Sequence, residues 1–99
     1  MILALVQHHL NEEGQRRFPD WLREVAREAS RYDGFISLRR LHLPDDPSAC
    51  AMLLEFADPE RLGIWVASPE RARLLAEQAP YRLRELTPMR FLADALIVG

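Results

Sequence analysis

The sequence has 99 residues, 48% of them hydrophobic and 28% charged, with 13 basic and 15 acidic side chains and a formal net charge of -2. That size and balance fit one soluble globular domain spanning residues 1–99, a single layer of helices on a single sheet. Acidic and basic residues are interleaved, so no basic stripe exists to attract phosphate backbones and no nucleic-acid partner is expected.

Ile2 to His9 is a β-rich run with apolar residues on both parities, and it reads as a first strand rather than a leader peptide because no basic segment precedes it. Asn11 then supplies a helix N-cap. Phe18, Trp21, Leu22, Val25, Ala26 and Ala29 recur at three- and four-residue spacing, which predicts a helix with one covered face. Pro19 falls inside that pattern and either kinks the helix or marks where its regular part begins. Asp33-Gly34 supplies the helix stop.

Phe35 to Leu43 predicts a second strand, Pro44-Asp45-Asp46-Pro47-Ser48 a turn, and Ala49 to Phe56 a third strand paired with the second as an antiparallel hairpin. Asp58-Pro59-Glu60-Arg61 and Ser68-Pro69-Glu70-Arg71 repeat one device: a capping side chain, a proline at the first helical position and an acid in the first turn. Two short helices in tandem are expected there. Leu62, Trp65 and Val66 form the apolar stripe of the first; Ala72, Leu75, Ala76 and Ala79 form that of the second. Met89 to Val98 closes the chain as a last strand.

Strand, helix, strand, strand, helix, strand is the ferredoxin-like split βαβ order, an α+β fold with an antiparallel four-stranded sheet and its helices on one face. The other sheet face is apolar too: Ile2, Ala4 and Val6 oppose Leu3 and Leu5, and Ala51 and Leu53 oppose Met52, Leu54 and Phe56. A chain this short has no second layer, so an identical sheet is the expected cover, giving a homodimer. No apolar run approaches the roughly 20 residues needed to span a bilayer, so no membrane association is expected. Cys50 is the single cysteine, which excludes an intrachain disulfide and fits a reducing, cytoplasmic setting.

The stretch Leu54 to Arg71, a strand ending in an aromatic, a helix bearing Trp65 and a Ser-Pro-Glu helix start, resembles the antibiotic biosynthesis monooxygenase (ABM) family of dimeric α/β-barrel proteins. Phe18, Trp21 and Leu22, followed by Tyr32-Asp33-Gly34-Phe35, are similar to the family's first helix and its exit. The resemblance implies a pocket between helices and sheet in each subunit, in which some members oxidise anthrones or quinols with oxygen and no bound cofactor. Such a substrate, once deprotonated, is electron-rich enough to reduce oxygen itself, so an apolar cavity and a base suffice. Trp65 would wall that pocket. Anthrone-oxidising members carry an Asn one helical turn before this Trp, where the present chain has Arg61. The haem-degrading branch pairs a strand Asn and this Trp with an iron-ligating His; the matching positions here are His8, Trp65 and Leu75, and leucine cannot ligate iron. Haem degradation is therefore disfavoured, and no cofactor or metal is expected.

His8 and His9 point to opposite faces, so only one can enter a helix-side pocket, and the resemblance selects His8 as the proton acceptor. Arg39 and Arg40 divide in the same way, leaving open which of them faces the pocket and which the dimer contact. Arg39 and Tyr81 are the candidate orienting donors for a small aromatic ligand, beside Trp65. Trp21 reads as core and Cys50 as an inert buried residue. There is no lysine for a Schiff base, no glycine-rich phosphate loop, no serine nucleophile elbow and no paired catalytic carboxylates. Two functions remain open: a cofactor-independent monooxygenase acting on a small quinol or polyketide-like aromatic, and a non-catalytic ligand-binding or accessory domain of the same fold.

Overall fold

In the computed structural model, which describes residues 1–94 and residue 97, β1 (Ile2–His9) occupies the middle of the sheet. It pairs antiparallel with β3 (Ala49–Phe56) on one side and with β4 (Thr87–Leu92) on the other. β2 (Phe35–His42) pairs antiparallel with β3, so the spatial order is β2-β3-β1-β4, the ferredoxin-like order. The expected last strand begins two residues earlier than the sequence pattern suggests and stops at Leu92. Residues 95, 96 and 98 of that expected run lie outside the described residues.

α1 (Glu12–Ala29) starts where Asn11 caps it, the side-chain oxygen accepting from the Gly14 amide at 2.9 Å. The helix runs through Pro19, whose position well inside it rules out a start near the proline. It ends at Ala29, before the expected stop. Gly34, at φ +86°, instead turns the chain into β2, and a Cβ there would lie 2.3 Å from Cδ of Arg61. α2 (Pro59–Val66) and α3 (Pro69–Gln78) begin at the two anticipated caps, Asp58 accepting from the Arg61 amide and Ser68 from the Arg71 amide. A single 3-10 turn, Ala79–Tyr81, follows α3.

Alternation along β1 buries Ile2, Ala4, Val6 and His8 beneath the helices, and the register aligns Phe56, Leu54, Met52 and Cys50 of β3 beside them. The helices add Phe18, Leu22 and Val25 from α1, Leu62 and Trp65 from α2, and Leu74 from α3. The α3 face differs from the expected one. Ala72, Ala76 and Ala79 are exposed and Leu75 is half-buried, while Leu74 and Gln78 are buried. The roll of α3 is set by partners on other elements: the Trp21 indole donates to the Leu74 carbonyl at 2.8 Å, and Gln78 bonds to His8. Two polar contacts thus outweigh the weak pull of three alanines.

Candidate active site

A cavity of about 60 Å³ lies between the helix-side face of the sheet and the helices. Its walls include Val6, His8, Met52 and Leu54 from the sheet, Trp21 and Val25 from α1, Leu62 and Trp65 from α2, and Arg71, Leu74 and Leu75 from α3. Pro88 and Arg90 of β4 close its edge side. Trp65 and His8 therefore belong to one cavity. Trp65 is 2% exposed and its ring meets Tyr32 edge-on at 5.4 Å, while the Tyr32 hydroxyl donates to Glu70 Oε1 at 2.9 Å.

His8 has no exposed surface and is wedged among aromatics, its ring centre 5.1 Å from Trp21 and 5.6 Å from Phe18. Its Nδ1 lies 2.8 Å from Gln78 Oε1. Arg82 Nε, which can only donate, lies 3.4 Å from the same atom and so identifies it as the amide oxygen. His8 Nδ1 must then carry the proton, leaving Nε2 an unprotonated acceptor with no hydrogen-bond partner. Burial pushes the imidazole pKa down to about 4, against the raising effect of the Gln78 bond and with a further lowering from Arg82, His9 and Arg71. The ring is neutral near pH 7. It is a neutral base in the wall of the cavity, its Nε2 buried without a hydrogen-bond partner.

The other two candidates lie elsewhere. Arg39 pairs in register with Leu53, which pairs with Leu5, and all three sit on the sheet face away from the helices. Arg40 takes the helix side, its guanidinium 5.3 Å from the Phe18 ring centre. Tyr81 borders a separate groove of about 420 Å³ between α1 and α3, with Arg17, Phe18, Trp21 and Gln78, and the Arg17 guanidinium stacks 5.1 Å from its ring. Among the described residues only Trp21 touches both spaces. Arg61 is exposed and paired with Asp58, so α2 presents Leu62 and Trp65 to the cavity and no amide. Leu75, at the position matched to an iron ligand, lines the cavity with an aliphatic side chain. Among the described residues no group of three or more His, Cys, Asp or Glu is placed to hold a metal.

Sequence reasoning missed Gln78, Trp21, Arg71 and Arg90 as site residues. The signal for Gln78 was present: Arg71, Leu74, Leu75 and Gln78 share a helical face at i, i+3, i+4, i+7 spacing, opposite a strand histidine. Arg90 alternates with Met89 and Phe91 along β4 and so points to the helix side with Pro88, paired with Ala4.

No family's sequence model matches this chain, and no curated protein does. Solved structures do. A protein from Deinococcus radiodurans assigned as an antibiotic biosynthesis monooxygenase superposes with a TM-score of 0.86 at 12% identity, over 100% of this chain and 98% of that one. A Nitrosomonas europaea protein with the same assignment gives 0.81 at 12% identity, over 94% and 98%. SnoaB, a cofactor-independent oxygenase from Streptomyces nogalater, gives 0.79 at 13% identity, over 99% and 98%. The chain has the ABM fold. The ferredoxin-like expectation and the structural side of the family resemblance therefore hold over nearly the whole length. Within the ABM fold, the cavity described above lies between the sheet and all three helices.

Proposed function

We propose that this protein is a cofactor-independent monooxygenase that oxidises a small quinol or polyketide-like aromatic with O2. The observation that carries the reading is His8: a buried, neutral imidazole whose Nε2 lone pair has no partner, lining the same apolar cavity as Trp65. In this reading Trp65 and Trp21 hold the aromatic ring and His8 Nε2 takes its acidic proton. The resulting carbanion or phenolate gives electrons to O2 and bonds to it; loss of water from the peroxide leaves a carbonyl, so one oxygen atom enters the product and the other leaves as water. The cavity volume of about 60 Å³ favours the small end of the substrate range over a polycyclic one. The working unit in this proposal is a homodimer joined through the open sheet face.

That same volume, well below the roughly 300 Å³ of an ordinary ligand site, and the absence of an amide on the inward face of α2 favour a second reading, a non-catalytic ligand-binding or accessory domain. Oxygen uptake across a panel of hydroquinones and anthrones separates the two. The monooxygenase reading expects uptake that His8→Ala lowers by about 10² to 10⁴, the usual range for a lost general base. Full turnover by a folded His8→Ala protein refutes the base assignment, and binding without any uptake leaves the accessory reading.

A further inference from the structure

The charged lining of the cavity is all of one sign. Arg71 and Arg90 contribute to its wall, and among the described residues no Asp or Glu does. Arg71 is half-buried, with Nη1 donating to the Val66 carbonyl at 3.2 Å. Behind it stands Arg82, whose Nη2 donates to the Leu75 carbonyl at 2.8 Å and whose Nε reaches the Gln78 oxygen that His8 also uses. The segment carrying Arg82 is fixed to the end of β1 by Leu83 N to His9 O at 2.7 Å and Asn11 N to Tyr81 O at 2.9 Å. Arg71 and Arg90 thus share the wall of one cavity, and Arg82 is near enough to Arg71 for their charges to repel.

Among the described residues six of the thirteen arginines have a carboxylate partner: Arg16, Arg17, Arg23, Arg31, Arg61 and Arg73 each have one within 4.0 Å. Among the described residues no carboxylate lies within that distance of Arg71, Arg82 or Arg90. Arg27, Arg39, Arg40 and Arg84 have none there either, so what sets Arg71 and Arg90 apart is that they lack one while lining a cavity. Backbone carbonyls satisfy some of their N–H groups but carry no charge to offset theirs. The mutual repulsion is felt: burial first, then Arg90 and Arg82, push the Arg71 guanidinium below the ordinary arginine range. An arginine does not escape by losing its proton; water screens the exposed Arg90, and a bound anion would do the same for the half-buried Arg71.

We infer that the cavity's ligand bears a carboxylate, bound by Arg71 and Arg90 with Arg82 behind them, so that its aromatic ring lies between this anchor and His8. The inference rests on the proposed reading for the ring and adds the anionic handle. Planar guanidiniums match a carboxylate in shape, and the small cavity suits it better than a bulkier phosphate. A bound anion also stabilises an imidazolium, so it raises the readiness of His8 to accept the proton that the reaction releases.

Hydroquinone and gentisate, which is hydroquinone bearing one carboxylate, form the test pair. Each is titrated under nitrogen into the isotope-labelled protein, following the indole N–H signals of Trp21 and Trp65. Gentisate is expected to bind roughly ten- to hundredfold more tightly, the worth of a charge-assisted anchor. Arg71→Gln combined with Arg90→Gln should abolish that preference, bringing the two probes to equal affinity. Arg90→Gln alone, a change at an exposed edge-strand position, should remove part of it in a protein that keeps its core. The His8 imidazole should titrate at higher pH with gentisate bound. Equal affinity for the two probes, or a preference that survives the double change, overturns the inference and leaves the oxidation proposal intact. Failure of both probes to bind at millimolar concentration overturns the inference together with the ligand site. An arginine-dependent preference without oxygen uptake sustains the inference and sinks the oxidation.

Discussion

His8 links burial to a measurable quantity. Its folded pKa of about 4 lies below the ordinary 6.5, so between those values the unfolded chain binds more protons than the folded one. Stability from this group is complete above pH 6.5 and falls as pH drops, by about 1.4 kcal/mol per unit, reaching about 3 kcal/mol once the folded form titrates. Glu13, Asp46 and Asp58 are held below the usual carboxylate range by Arg16, Ser48 and the Arg61 amide, so they lose stability only at still lower pH. Comparing urea unfolding at pH 7 and pH 5 therefore isolates histidine effects. Wild type should be about 2 kcal/mol less stable at pH 5, and His8→Gln should lose most of that difference. An equal drop in both proteins would contradict a neutral, desolvated His8.

α3 shows how an element serves the site and how far its sequence describes it. Its start is local chemistry: the Ser68 side chain accepts from the Arg71 amide, with Pro69 behind it and Glu70 in the first turn. Ser68→Ala should cost about 1 kcal/mol in thermal unfolding, because this cap stabilises the helix that carries Arg71 and Gln78 to the cavity. An unchanged melting temperature would show that tertiary contacts alone hold the helix. Such caps, the turn before β3 and the strand alternation were legible because each is decided within a few residues of sequence. The inward face of α3 was not, because contacts from Trp21 on α1 and His8 on β1 choose it. The division between Arg39 and Arg40 depends on the β2–β3 register, which shifts between Phe35 and Ser37. The early start of β4 escaped the pattern because Pro88 reads as a breaker, whereas an edge strand tolerates it.

At the scale of the whole molecule, one sheet face is covered and the other is not. Leu3 and Leu5 of β1, Leu41 of β2, Leu53 of β3, and Met89 and Phe91 of β4 share the face away from the helices. Met89 is 48% and Phe91 44% exposed, on a sheet whose opposite side is packed. Three eight-residue strands and one of six, at about 3.3 Å per residue and about 4.8 Å between strands, make a face of at most roughly 19 by 26 Å before side-chain relief adds to it. That flat area of about 500 Å² is roughly three fifths of the 800 Å² or so each partner buries in a standard interface, and side-chain relief supplies the rest. A second copy supplies an identical face, and Arg39 with Glu55 gives it one charge of each sign, so a two-fold axis can set opposite charges against each other. Light scattering at micromolar concentration should return twice the chain mass. Leu53→Arg places a charge at the centre of the face, away from the His8 cavity, and should yield a folded monomer. A wild-type monomer, or a Leu53→Arg protein that still dimerises, would place the partner surface elsewhere and leave the open sheet to another occupant.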